Sequence, residues 1–455
     1  MRQDLLDKYS VPVPRYTSYP PANFFNESFT AEKYRNAIIE SNNQNPEHIS
    51  IYIHIPFCYQ ICYYCGCNSQ LLKNDEIVAE YMKALKKEIS MVLPLLDHNR
   101  KISQIHYGGG TPTCQPVSVL KEINELILSE FQCIENPEIA IECHPGYLDE
   151  KYWNELIDAG FNRISLGIQD FNIEVLKTAN RKASRMPIED IVNLLRQRGI
   201  SINMDFIYGL PLQIPESFEE TIYKAISLHP DRVVTFSYAH VPWVNELQKN
   251  LEKVGLPSVT TKSQIYEIAK KLLTEAGYKT IGLDHFVLPD DELFEALQSK
   301  TLHRNFQGYC TRRTTGQVYA FGITGISQLA TAYSQNTKDL NTYITQINKG
   351  TYPISKGYIL NREEQITRSV ISELMCNYSI NWLELSKELN ISINEIKSAI
   401  NYNEQILNEF SNDGIIEYND NYISMLPDAT PLVRNVAASF DKLIIGKENK
   451  YSKSI

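Results

Sequence analysis

ISIYIHIPFCYQICYYCGCNSQ, residues Ile49 to Gln70, decides how the rest of the chain is read. Ile49, Ile51, Ile53 and Ile55 alternate with Ser50, Tyr52 and His54, a period of two that predicts a β-strand. Pro56 ends the run, and Cys58, Cys62, Cys65 and Cys67 follow at once. Four of the nine cysteines thus fall within ten positions. A cluster of this kind, on a loop leaving the C-terminal end of a strand, suits a soft metal centre better than core packing. Structural zinc usually takes two Cys pairs, or a Cys and a His pair, set apart by a longer loop, and no second pair is present. The C-x3-C-x2-C run offers three thiolates to an iron–sulfur cube and leaves one iron open to another ligand. Cys67 stands too near Cys65 to reach the same cube. A zinc site, a disulfide pair and inert thiols remain open as readings of these residues.

A chain of 455 residues predicts one large domain and at least one smaller one. Apolar residues make up 43% and charged residues 22%, the balance of a soluble globular protein. The start, MRQDLLDKYS, has acids and no apolar core, and no apolar run is long enough for a membrane span. Nine cysteines without a secretory signal fit a reducing cytoplasm. A net charge of −10 speaks against a general nucleic-acid binder.

Residues 1–48 carry several prolines and predict an extended N-terminal arm. From 49 to 284 strand-like and helix-like patterns alternate. Strands are predicted at 49–55, 102–107, 138–143, 163–168, 201–207 and 233–238. Between them, Ile77, Tyr81, Met82, Leu85, Ile89 and Val92 share one helix face, as do Leu120, Ile123, Leu126 and Ile127. Such alternation means parallel strands, and six units make a partial (β/α)6 barrel of the α/β class, with a doubly wound sheet as the alternative. Residues 285–360 are read as an irregular segment that completes the site. Residues 361–455 are read as a mostly helical C-terminal domain with a hairpin at 414–425. That end looks like a winged helix, but Glu373 to Asp428 holds ten acids and two lysines, a surface that repels phosphates.

At this point the motifs resemble a family. C-x3-C-x2-C after a strand resembles the radical S-adenosylmethionine (SAM) enzymes, whose fold is a partial TIM-like barrel. HIPFCYQICYYCGCN is similar to the oxygen-independent coproporphyrinogen III oxidases, also called coproporphyrinogen dehydrogenases. Cys67 points inside the superfamily, because its haem chaperones tend to carry an aromatic there. PRYTSYP (14–20), YAHVP (238–242), GLDHFVLPDDEL (282–293) and HRNFQGY (303–309) extend the likeness over nearly the whole chain.

The resemblance implies a [4Fe–4S] cluster on Cys58, Cys62 and Cys65, and a catalytic Cys67. The glycine stretch Gly108-Gly109-Gly110-Thr111 and the motifs IECHP, SLGIQDFN and NMDFIYGLP match SAM-binding motifs. It implies SAM contacts at Tyr52, Gly109, Glu142, Gln169, Arg181, Asp205, Ala239 and Ile326, and a second SAM at Tyr64, Gly110 and Thr111. The implied chemistry removes hydrogen from a propionate β-carbon, then carbon dioxide and one electron. Two rounds turn coproporphyrinogen III into protoporphyrinogen IX in haem biosynthesis. A low-potential donor such as flavodoxin or ferredoxin, a monomeric state and a cytoplasmic location go with this reading. Four propionates call for cations, and Arg15, His303, Arg304, Arg312 and Arg313 flank the matching segments. A haem chaperone or a haem-ring-opening methyltransferase on the same barrel is the alternative.

Overall fold

The computed structural model describes Leu5, residues 8–311, residues 316–445 and Tyr451. The alternation that opens the cysteine stretch is realised as strand β1, Ile49–Ile55, whose four isoleucines are fully buried. Five more strands follow in sequence and pair in parallel, each beside the last: β2 Ile102–Gly109, β3 Cys133–Cys143, β4 Arg163–Gln169, β5 Ser201–Tyr208 and β6 Arg232–Ser237. Each crossover carries a helix, which keeps neighbouring strands parallel. Helix Asp75–Val92 shows how the sequence places these helices. The Asn74 side chain caps its first turn by accepting from the backbone N–H of Glu76 and Ile77, and Tyr81, Met82, Leu85, Ile89 and Val92 turn inward.

The inward face of the strands is polar, unlike the branched apolar filling of a closed TIM barrel. At the lower end, Ser50, Gln104 and Glu138 lie level across β1, β2 and β3. Ser50 Oγ donates to Gln104 Oε1 at 2.8 Å, Gln104 Nε2 to Glu138 Oε1 at 2.7 Å, and Arg163 Nε to Glu138 Oε2 at 2.6 Å. Arg232 joins them and donates to Asp291 Oδ2 at 2.8 Å. Burial opposes the charge on Glu138, but Arg163 and Arg232 outweigh it and hold the carboxyl at about 2. The barrel therefore has an ionic floor.

The sheet continues past both ends of the six strands. Beyond β6 it adds the antiparallel hairpin of Lys279–Ile281 and His285–Val287. Beyond β1 it adds Val318–Phe321 in parallel, then Ile326–Gln328, Ala332–Asn336 and Ile354–Ile359 antiparallel. Much of the stretch read as irregular, 285–360, is therefore strand. These strands are three to six residues long, and Val318–Phe321 and Ala332–Asn336 are buried on both faces, so no alternation registers in the sequence. Glu88 pins this extension to the barrel. Its carboxylate accepts from Gly322 N at 2.8 Å, Asn336 Nδ2 at 2.7 Å and the Tyr343 hydroxyl at 2.5 Å.

The C-terminal region holds helices Arg362–Asn377, Trp382–Leu389, Ile393–Ala399 and Glu404–Asn412 around a small sheet of Ser379–Asn381, Ile416–Tyr418 and Tyr422–Met425. Tyr9, Val13, Tyr16 and Tyr19 of the N-terminal arm share its apolar cluster with Val370, Leu374, Trp382 and Val433. Among the described residues no helix is long and apolar enough to cross a membrane.

Candidate active site

The site residues gather at the C-terminal ends of the parallel strands, where such sheets place their ligands. The cysteine loop leaves β1 there, held by backbone bonds from Gln70 N to Pro56 O at 2.7 Å and from Leu72 N to Cys58 O at 2.8 Å. All nine cysteines are free thiols, which removes the disulfide reading. Each of the first three sulfurs meets a polar group from outside the four cysteines. The Thr111 hydroxyl donates to Cys58 Sγ at 3.4 Å, Arg181 Nη1 donates to Cys62 Sγ at 3.5 Å, and Ser69 Oγ stands 3.7 Å from Cys65 Sγ. Burial pushes the Cys58 thiol up to about 11. A hydrogen bond from the Cys67 thiol outweighs burial at Cys65 and takes it down to about 6, and the same contact raises Cys67. Among the described residues no three His, Cys, Asp or Glu side chains converge on one ion. A cube asks for something else, because each thiolate goes to a different iron.

The glycine stretch closes over this loop. Gly110 N donates to Ile55 O at 2.8 Å and Thr111 N to Phe57 O at 2.9 Å. A Cβ at Gly110 would stand 2.5 Å from Pro56 O, and one at Gly108 would stand 2.6 Å from Glu142 Oε1. Gly109 has φ +116°, and a Cβ there would lie 2.8 Å from the His54 ring. His54 is buried and neutral, since burial lowers its pKa. Its Nε2 faces Asn68 O at 3.1 Å and so carries the proton, which leaves Nδ1 to accept from the Tyr52 hydroxyl at 3.1 Å.

Tyr52 and Glu142 meet through His106, whose ring stacks on Tyr52 with centroids 6.0 Å apart and whose Nε2 lies 3.2 Å from Glu142 Oε1. Cys67 belongs to this group, close enough for its charge to act on Tyr52. Gln169 ends β4 with φ 68°, a left-handed conformation for a residue with a side chain, and its buried Oε1 has no partner. Strain and an orphaned acceptor at one strand end mark a ligand position. Arg181 Nη2 donates to Gly167 O. Asp205 accepts from Ser165 Oγ at 2.6 Å and from Asn203 Nδ2 at 2.9 Å. Burial raises it to about 6, with Glu142 adding to the effect.

Ala239 and Tyr64 are joined by a residue that sequence reading missed. Gln248, 1% exposed, donates from Nε2 to Tyr64 O and to Ala239 O, both at 3.3 Å, and accepts from Val241 N at 2.6 Å. Asn245 Nδ2 donates to Cys65 O at 2.7 Å. Ile326 lies on the strand two beyond β1 and packs with Phe25, Tyr333 and Leu360. His54 and His106 were legible in principle, as polar residues at inward positions of predicted strands. Gln248 and Asn245 carry no such signal, since they lie on the loop and turn after β6.

The Radical SAM superfamily profile matches residues 52–224. The chain is 38% identical to the oxygen-independent coproporphyrinogen III oxidase of Synechocystis sp., over 99% of this chain and 97% of the relative. It is 36% identical to that of Escherichia coli, over 96% of this chain and 94% of the relative. The solved coproporphyrinogen III oxidase of Escherichia coli, a radical SAM enzyme, superposes with a TM-score of 0.88 at 35% identity, covering 94% of this chain and 98% of that one. The chain belongs to the oxygen-independent coproporphyrinogen III oxidases. Membership in this radical SAM family implies a [4Fe–4S] cluster and SAM. The residues present fit both groups: three free thiols with polar neighbours, glycines with no room for a Cβ, and the orphaned Gln169 Oε1. Of the cations expected to serve a coproporphyrinogen III oxidase, Arg312 and Arg313 lie outside the described residues. His303 turns to Gln328, with Nε2 3.0 Å from Gln328 Nε2.

Proposed function

We propose that this protein decarboxylates two propionate side chains of coproporphyrinogen III to vinyl groups, giving protoporphyrinogen IX. The observation that carries the reading is the cysteine loop packed under Gly108–Thr111 at the mouth of a polar barrel, in a chain alike over its whole length to enzymes of that name. Cys58, Cys62 and Cys65 hold the cluster in this reading. Tyr52, Gly109, Glu142, Gln169, Arg181, Asp205, Ala239 and Ile326 serve SAM, and Tyr64, Gly110 and Thr111 serve a second SAM molecule. When bound, cluster and SAM together supply the one-electron chemistry that removes hydrogen from a propionate β-carbon.

The protein's own residues do the rest. Arg181 and Thr111 steady two of the sulfurs, which tunes the cluster's potential through hydrogen bonds. Asp205 and Glu142 offer acceptors to hydroxyl and amino groups, and Gln169 offers its unpaired oxygen. Cys67, beside Tyr52 and Glu142, touches the reacting groups without holding iron. A low-potential flavodoxin or ferredoxin supplies electrons to a monomeric, cytoplasmic enzyme. The test is an anaerobic assay with coproporphyrinogen III, SAM and reductant, followed by product chromatography. Vinyl products and released carbon dioxide are expected. Haem binding without decarboxylation would transfer the reading to a haem chaperone.

A further inference from the structure

Arg15 stands in a group of cations, with Arg304, Lys262 and Arg434 as its neighbours. Two arginines fix its backbone. Arg434, 7% exposed, donates from Nε to Pro14 O at 3.0 Å and from Nη2 to Val13 O, and Arg304 Nη1 donates to Arg15 O. The Arg304 guanidinium lies 5.1 Å from the Tyr309 ring centroid, and its Nε is buried with no partner. Lys262 reaches in from the helix Val259–Glu275. Its Nζ donates to Tyr238 O at 2.7 Å and lies 5.8 Å from the Tyr208 ring centroid. Tyr208 ends β5, and Tyr238 follows β6 and precedes Ala239, so the group stands at the barrel mouth.

Among the described residues, Arg15, Lys262 and Arg304 carry more charge than their neighbours offset. Burial pulls Lys262 down to about 8, and the charge of Arg15 adds to it. Arg15 keeps solvent access, yet desolvation of its head and the charge of Arg304 lower its pKa. Arg434 is lowered to about 9 by burial and by the same two arginines. Among the described residues Asp284 is the carboxylate whose charge reaches Arg15, and it is tied to His285 Nδ1 at 2.7 Å. Among the described residues, Arg15, Lys262 and Arg304 thus stand with one engaged carboxylate, in a chain whose net charge is −10. Partly desolvated cations held together at a ligand-binding face call for an anion.

We propose that Arg15, Lys262 and Arg304 form a carboxylate seat at the barrel mouth for one propionate of the tetrapyrrole, with Arg434 holding the arm that carries Arg15. The inference rests on the proposed substrate and deepens it. The arm contributes a fork able to donate two parallel bonds to a carboxylate, and Lys262 contributes a point charge beside it. The arm is thereby a part of the binding site as well as of the C-terminal core.

Binding of coproporphyrin III, the oxidised and stable tetracarboxylate, to the full chain tests this, with its tetramethyl ester as the uncharged comparison. Arg15→Gln and Lys262→Met should each weaken coproporphyrin III binding roughly 10-fold or more, the scale of one charged hydrogen bond. The ester should bind both variants as it binds the wild type. Arg15→Lys, which keeps the charge and loses the fork, should recover part of the affinity. Unchanged binding of coproporphyrin III by both variants overturns the seat, and so does an equal loss for acid and ester. A wild type that binds coproporphyrin III and fails to decarboxylate coproporphyrinogen III defeats the proposed reaction and leaves the seat standing.

Discussion

Cys65 and Cys67 are two positions apart, and the hydrogen bond between them lowers the pKa of Cys65 and raises that of Cys67. The spacing suggests different work for them; Cys65 faces Ser69, and Tyr52 and Glu142 are neighbours of Cys67. Alanine at Cys58, Cys62 or Cys65 should leave little bound iron and no visible cluster absorption after anaerobic reconstitution. Cys67→Ser should keep iron and sulfide at wild-type levels while turnover is lost; loss of iron in that variant would place Cys67 among the ligands. Thr111 allows a finer test. Its hydroxyl is the donor on Cys58 Sγ, and hydrogen bonds to cluster sulfur ease reduction. Thr111→Val should load iron normally and show a lower reduction potential by redox titration, and an unmoved potential would deny the bond a role. The three cysteines were readable from spacing alone. The partners of their sulfurs were not, because Ser69, Thr111 and Arg181 come from three different loops that only the fold brings together.

At the scale of elements, the turn after β2 is the tightest joint in the site. Gly109→Ala asks a φ of +116° of a residue with a side chain and drives its Cβ to 2.8 Å from the His54 ring. Thermal or denaturant unfolding should register a loss of about 1–3 kcal/mol, the usual cost of such strain, and more where the ring has to move. A wild-type melting curve would show that the turn can relax. The six barrel strands were legible because each is longer than five residues and bounded by helical spacing. The strands between 318 and 359 were not: they are short, and Val318–Phe321 and Ala332–Asn336, buried on both faces, lose the alternation that reveals a strand. The hairpin at 416–425 was legible from its turn residues, Asn419, Asp420 and Asn421.

For the molecule as a whole, Glu88 joins the barrel to the added strands, and its titration should be visible in global stability. Burial raises its pKa from 4.5 to about 7. The folded state therefore binds this proton more tightly than the unfolded chain does. Its stabilising effect is fully present below about 4.5 and is lost as pH rises through about 7. Glu88→Gln removes the titration and leaves one of three donors without an acceptor. The stability difference between wild type and variant should shift against the wild type by up to about 3 kcal/mol between roughly pH 4.5 and pH 7.5. Urea unfolding of the metal-free proteins at both ends of that range measures it, and a constant difference would mean that Glu88 does not titrate there. The ionic floor bears on traffic. Glu138, Arg163 and Arg232 fill the lower end of the barrel and leave its strand ends as a doorway for ligands. A tetrapyrrole seated across that doorway would bar recharging between the first decarboxylation and the second. Two SAM molecules taken in beforehand would let both rounds run behind a closed door. Single-turnover reactions on enzyme loaded with SAM and then stripped of the free pool should accordingly reach the divinyl product, and a halt at one vinyl group would show that the doorway reopens between rounds.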